Sequence, residues 1–226
     1  MGNMYEWGGP LPRSWHTFTV QLQHKILKRM RGLGMTPVLP AFAGHIPKAL
    51  VTSYPNINYT NTTWNHFGPT YLLNAEDKMF NKIGSMFLLE YTKEFGPSDN
   101  VYNCDAFNEM NPVTNDPEFI RKSGKAIYDA MSTVDENAVW IMQGWLFKHS
   151  AEFWQPAQAK ALLTSVKPGE MLVLDLASTE SEVYDKLNSF YGQPFIFNDL
   201  NNYGGNTGLF GRIGRINERL FNARKM

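Results

Sequence analysis

The sequence predicts an α/β chain built on a parallel sheet, an incomplete (β/α)8 barrel with about five strands joined by crossover helices. Three observations carry this. Short apolar runs alternate with longer segments whose apolar residues recur at helical spacing. The runs are apolar at nearly every position, as strands buried on both faces are. Polar, acidic and aromatic residues gather where the runs end, as they do at the active face of such a barrel. Five strands do not close an eight-stranded wall, and a doubly wound open sheet is the architectural alternative. No Gly-rich phosphate loop follows the first strand, which argues against a nucleotide-binding version.

Each element has its own signal. Ser14 is placed to cap a helix over 14–31, in which Phe18, Leu22, Ile26, Met30 and Leu33 form the apolar stripe. Lys25, Lys28, Arg29 and Arg31 lie toward its C-terminal end, where the helix dipole favours cations, and Gly32 and Gly34 end it. A strand follows over 36–42, made irregular by Pro37 and Pro40. Residues 44–74 read as one long loop, a length that signals function in a compact domain. The next helix covers 77–95, with Met79, Phe80, Ile83, Phe87 and Tyr91 inward and Gly96-Pro97 as its stop. The strand of Val101 and Tyr102 then runs to Phe107. Asp116-Pro117-Glu118 supplies a cap, a proline at the first helical position and an acid in the first turn of a helix reaching about residue 133. Strands over 138–142, 171–176 and 194–197 complete the five, with a short helix over 156–166 between the first two of these. Tyr203-Gly204-Gly205-Asn206 precedes a basic C-terminal segment.

Composition narrows the function. Lys plus Arg and Asp plus Glu are both 21, so the net charge is zero. A chain that tracks phosphates or an anionic membrane surface needs a basic excess, so no nucleic-acid or membrane partner is expected. No apolar run reaches membrane-spanning length. Cys104 is the one cysteine, which excludes an internal disulfide and reads as a small buried hydrophobe. No metal or cofactor is expected. The first residues have neither the basic nor the apolar region of a signal peptide. Asn58-Tyr59-Thr60 and Asn61-Thr62-Thr63 nevertheless fit the N-glycosylation rule. If the chain is secretory, its natural N-terminus is expected upstream.

The chemistry centres on Asp105-Ala106-Phe107-Asn108-Glu109-Met110-Asn111-Pro112, an apolar run that ends in an Asn-Glu pair and breaks at a proline. A glycosidic oxygen must be protonated as its bond breaks, and a carboxylic acid beside a second carboxylate does this. Glu109 is the candidate acid, and Asn108 the candidate donor to the substituent at sugar C2; a plain surface carboxylate is the competing reading for Glu109. Trp64 on the long loop and Trp145 at a strand end could each stack on a sugar ring, with core packing as the alternative. Asp175 and Asp199 are the other carboxylates near strand ends, and either could serve as the second acid; Asp175 lies inside its strand run. His45 and His66 lack metal-ligand spacing.

Several longer stretches resemble the alpha-N-acetylglucosaminidase family. They are Trp7-Gly8-Gly9-Pro10-Leu11-Pro12-Arg13-Ser14-Trp15, Gly34 through His45, Phe107-Asn108-Glu109-Met110, Gln143-Gly144-Trp145-Leu146-Phe147 and the Tyr203-Gly204-Gly205-Asn206 loop. The resemblance implies a catalytic-barrel portion over 1–211 and a divergent basic segment over 212–226. It implies an exo-acting, retaining hydrolase that removes terminal N-acetylglucosamine from heparan-sulfate-type glycans in the lysosome. Glu109 would be the general acid/base, and Asn108, Trp64 and Trp145 would line the sugar pocket. The family's nucleophile sits in a Pro-Glu segment after the Gly-Gly-Asn loop; no Pro-Glu pair follows Gly205 here, so the expectation is a fragment whose nucleophile lies beyond Met226. The full-length enzyme could be an oligomer. An inactive sugar-binding remnant and an inverting hydrolase that pairs Glu109 with Asp175 or Asp199 are the competing expectations.

Overall fold

The computed structural model describes residues 11–64, 68–107, 109–176, 178–198 and 213–225. Helix α1 (Arg13–Gly32) is followed by β1 (Leu39–Pro40), β2 (His45–Ile46), α2 (Lys48–Ser53), β3 (Tyr59–Thr63) and β4 (Pro69–Leu73). Helix α3 (Lys78–Phe95) leads into β5 (Val101–Asn103), and α4 (Pro117–Ser132) into β6 (Val139–Gln143). The short α5 (Leu146–His149) and α6 (Pro156–Leu163) precede β7 (Met171–Asp175). Three single turns, α7 (Ser178–Ser181), α8 (Val183–Lys186) and α9 (Asn188–Tyr191), precede β8 (Phe195–Phe197), and α10 (Ile213–Ala223) comes last.

Strands β1, β5, β6, β7 and β8 form one parallel sheet in that spatial order. Spatial and chain order agree along the whole sheet, as in a barrel wall; a doubly wound sheet reverses its order at a switch point. The open-sheet alternative is therefore excluded, and the described strands form an incomplete (β/α)8 wall. Register separates the two faces. Pro40, Asn103, Ile141 and Leu172 align across the strands, as do Gln143, Leu174 and Ile196, and all of these are partly or fully exposed. This is the face that a closed barrel turns inward. On the other face Leu39, Tyr102, Trp140, Met142, Met171 and Val173 are buried. Helices cover them: Tyr128 of α4 donates to Ala138 O at 3.0 Å, and Tyr184 of α8 stacks on Phe195 of β8.

Two buried polar side chains in this layer are satisfied, which keeps their desolvation from opposing the fold. The Trp140 indole donates to Cys104 O at 2.8 Å, and the Gln193 amide donates to Leu163 O at 2.8 Å. Cys104 is buried, and burial together with the Asp105 charge pushes its thiol pKa far up, as suits a packed side chain and not a nucleophile. Asn188, Ser189, Phe190 and Tyr191 all have φ between 46° and 53°, one left-handed turn of L-residues. Phe190 is fully buried against Phe147 and Phe195, and that packing offsets a conformation otherwise disfavoured by about 1–2 kcal/mol per residue.

The cap expected from the sequence holds at Asp116 and fails at Ser14, and Asp77 supplies a further one. Asp77 accepts from Met79 N at 2.8 Å, and Asp116 from Glu118 N at 3.1 Å with Pro117 as first residue. Ser14 does not cap α1: the flanking residue is Pro12, with no side-chain cap bond, and Ser14 lies inside the helix. The expected inward stripe of α1 is also exposed, with Phe18 at 63%, Leu22 at 42%, Ile26 at 43% and Leu33 at 57%. Helix α1 leads into an edge strand and is held mainly from one side. Leu27 is buried, His24 Nε2 lies 2.8 Å from Glu94 Oε1, and Arg31 donates to Phe95 O and Pro97 O of the α3 end. In α3 the buried stripe is Phe80, Gly84 and Leu88, so Phe87 faces outward. Strand β1 has two residues and not seven, because prolines 37 and 40 cannot donate to a ladder.

The largest departure is the expected long loop. Residues 44–74 contain a three-stranded antiparallel sheet in the order β2-β4-β3. It hangs between β1 and α3, and Leu72 and Leu73 anchor it in the core.

Close backbone approach is set at two glycines. A Cβ on Gly84 would lie 2.7 Å from Ala130 Cβ, so α3 and α4 pack at this point through a bare backbone. A Cβ on Gly144 would lie 2.9 Å from Leu174 O, the atom that accepts Gly144 N–H at 2.8 Å. Backbone cannot retreat as a flexible side chain can, so Gly144→Ala is expected to lower stability by about 1–3 kcal/mol in urea unfolding. An unchanged midpoint would contradict this packing.

Candidate active site

The parallel strands end at a common edge, and the chain after β5 shows how a side chain is delivered there. Ala106 and Phe107 stay buried, and the Phe107 ring packs against Trp154 at 5.8 Å between centroids. Met110 N donates to Phe107 O at 3.1 Å, closing a turn. The anchored Phe107 and the turn leave Glu109 on the exposed side. Asn108 lies outside the described residues.

The Glu109 carboxylate has a specific partner. The Trp64 indole Nε1–H donates to Oε2 at 2.9 Å. Trp64 directly follows β3, so the small antiparallel sheet carries the indole to the carboxylate. A second tie runs beside the first. Thr70 of β4 is 3% exposed, and its Oγ1 lies 3.2 Å from Thr62 O and 3.4 Å from Met110 Sδ. Its hydroxyl also meets that of Thr62. The hairpin is thus tied to the 107–110 turn at two neighbouring points. Thr62 and Thr70 were not among the residues expected to matter. The signal was present: two five-residue runs, rich in Thr and Tyr or in Tyr and Leu, flank 64–68, which is the pattern of a hairpin.

Trp145 follows β6 and flanks α5, half-buried, where the Gly144 contact brings β6 against β7. Its ring lies 5.3 Å from that of His149 and also packs against the core, which is the packing role weighed for it. Beside it Lys148 of α5 pairs with Glu180 of α7, tying two of the segments that follow the strands.

Asp175 is placed differently from an accessible acid. It shares the face of Met171 and Val173, aligns with Phe197, and is wholly buried on the helix-covered side of the sheet. Its position inside the strand run decides this, because alternate residues of a strand face opposite ways. This corrects its reading as a second catalytic acid. Asp199, His66 and the Tyr203-Gly204-Gly205-Asn206 loop lie outside the described residues. Asn58 and Asn61 are both exposed, Asn58 just before β3 and Asn61 within it.

His45 in β2 has both ring nitrogens buried and without a hydrogen-bond partner among the described residues, and burial lowers its pKa. Burial in the folded state therefore favours the neutral imidazole over the charged one. The unfolded chain takes up a proton first as pH falls, so this group's contribution to stability is full above about pH 6.5 and declines below it. His45→Phe is expected to shrink the loss of urea midpoint between about pH 7.5 and about pH 5.5. An identical loss in both proteins would remove His45 from the acid response. The indole contact is checked separately by NMR. In Glu109→Leu, the Trp64 Nε1–H resonance is expected to shift and to exchange faster with solvent, and an unmoved resonance would contradict the bond.

Among the described residues no group of three or more His, Cys, Asp or Glu side chains could hold a metal ion, and no helix is long and apolar enough to cross a membrane.

Parallel strands in barrel order, with an acid and an indole joined at their C-terminal edge, define the chain as a (β/α)8-type domain. Its family follows from comparison with known proteins: the chain belongs to the family described as the alpha-N-acetylglucosaminidase (NAGLU) TIM-barrel domain, which it matches over residues 1–226. It is 50% identical over 222 residues to alpha-N-acetylglucosaminidase of Homo sapiens, covering 96% of this chain and 30% of that protein. It is also similar to a solved family 89 glycoside hydrolase from Clostridium perfringens in complex with 2-acetamido-1,2-dideoxynojirmycin, with a TM-score of 0.75 and 28% identity over 88% of this chain and 22% of that one. A variant of the Clostridium enzyme with two glutamate-to-glutamine changes, in complex with its substrate GlcNAc-alpha-1,4-galactose, aligns with the same TM-score of 0.75 at 27% identity, over 89% of this chain and 22% of that one. The chain thus spans about a third or less of the length of these relatives.

Proposed function

We propose that this chain is the acid-bearing part of a retaining exo-glycosidase that removes terminal alpha-linked N-acetylglucosamine from heparan-sulfate-type glycans, with Glu109 as general acid/base. The observation that carries the proposal is the Trp64–Glu109 hydrogen bond at the exposed edge of a barrel wall. The indole N–H occupies Oε2 and leaves Oε1 as the oxygen that presents the proton. In the first step that proton passes to the glycosidic oxygen as the C1–O bond breaks. In the second step the carboxylate takes a proton from the water that releases the sugar. Asn108 is assigned to the substituent at sugar C2, and the Trp64 and Trp145 rings to the sugar faces.

A retaining mechanism needs a second carboxylate about 5 Å from the first, as nucleophile. We assign this role to a second glutamate and to none of the described residues. The Clostridium relative whose variant changes two glutamates supports a pair of this kind. The inverting reading loses Asp175 to its burial on the far side of the sheet. Kinship with the human enzyme supports a lysosomal or secretory location.

In the full-length enzyme, Glu109→Gln is expected to lower turnover of a natural glycoside by about two to four orders of magnitude. An activated aryl glycoside, whose leaving group needs little protonation, should lose less in the bond-breaking step. Equal and negligible losses on both would remove Glu109 from the role. Binding of N-acetylglucosamine by the purified chain without hydrolysis would favour the sugar-binding remnant.

A further inference from the structure

We propose that Asn61 carries an N-linked glycan whose first N-acetylglucosamine lies against the rings of Tyr59 and Tyr71, bracing the hairpin that holds Trp64. The inference rests on the secretory part of the reading above and not on the assignment of Glu109.

The hairpin register places the three residues together. Asn61 lies directly opposite Tyr71, while Tyr59 lies opposite Leu73. Alternate residues of a strand share a face, so Tyr59 and Asn61 point the same way, and Tyr71 joins them across the ladder. The two rings meet at 5.6 Å between centroids with a 57° tilt. They form a half-buried apolar step beside an exposed asparagine. The opposite face carries Thr60, Thr62, Thr70 and Leu72, with Thr70 and Leu72 buried and Thr70 against Met110 of the Glu109 turn. A glycan on Asn61 therefore leaves the candidate site open. Asn58 has no such step: it precedes the strand, and its own N–H is bound to Asp77 Oδ2 at 2.6 Å.

A pyranose has an apolar C–H face, and an aromatic ring offers it a flat surface with a negative quadrupole. A sugar tethered at Asn61 meets the rings at high effective concentration, so even a weak contact is populated. Transfer joins Asn61 Nδ2 to C1 of the sugar. It breaks the bond from C1 to a lipid-linked diphosphate donor and releases the lipid diphosphate and one amide proton.

The test uses the full chain behind a secretory leader in cultured animal cells, with Asn58→Gln to isolate the second sequon. Peptide mapping after enzymatic glycan release in heavy-oxygen water is expected to show Asn61 occupied. Trimmed to a single N-acetylglucosamine, the protein should unfold about 2–4 °C higher than the sugar-free form. In Tyr59→Leu that difference should shrink, because one of the two rings beside the sugar is gone. In the chain with both tyrosines, nuclear Overhauser contacts between sugar and tyrosine ring protons are expected, a readout that does not depend on how well the variant folds. An unoccupied Asn61, an equal sugar effect in Tyr59→Leu, or an absence of those contacts would overturn the proposal. Loss of turnover in Glu109→Gln would stand in any of these cases.

Discussion

One hydrogen bond joins the two sheets of this protein at the point where chemistry is expected. The donor, the Trp64 indole, hangs from an antiparallel hairpin; the acceptor, Glu109, hangs from the end of a parallel barrel strand. Neither element places its side chain alone. The hairpin is held by Leu72 and Leu73 in the core and by Thr70 against Met110. The carboxylate is held by Phe107 packed on Trp154 and by the turn from Phe107 to Met110. An exposed carboxylate is ordinarily free to sample several rotamers. A donor fixed on a separate sheet restricts that sampling and distinguishes its two oxygens.

The common edge of the parallel sheet explains why the other features gather near this bond. In a βαβ repeat every strand runs the same way, so every strand releases its following loop at the same end. Strand β5 releases Glu109 there and β6 releases Trp145; β7 and β8 lead into the Glu180 turn and Asn198. The glycine at position 144 lets the backbone after β6 touch that of β7, which brings Trp145 close to the sheet. A carboxyl carried beyond a strand end in such a fold is supported from outside its own strand by whatever the neighbouring segments carry. Here that support is an entire small sheet inserted between β1 and α3.

Much of the fold was legible in the amino-acid order, and the failures have physical causes. The cap at Asp116 was readable because it depends on a contact two residues away. The exposed stripe of α1 was not, since periodicity reports that a face is apolar and not that something covers it. The hairpin was missed because the length of 44–74 outweighed two short β-prone runs. Of the site residues, Glu109 and Trp64 were each singled out, but nothing local in sequence pairs them across the hairpin. Asp175 was weighed as an acid because its residue type suits the chemistry; its burial follows from strand parity, which a boundary uncertain by one residue leaves open.

By itself the sequence determined the α/β class, the parallel barrel order and the acidic strand end, because these rest on periodicity, strand hydrophobicity and residues adjacent in the chain. The tertiary structure alone decided which oxygen of Glu109 meets the Trp64 indole, that Thr70 braces the turn through Met110, and that Asp175 faces the helices. Each of those is a contact between segments far apart in the chain, and only the packing of the two sheets brings them within hydrogen-bond reach.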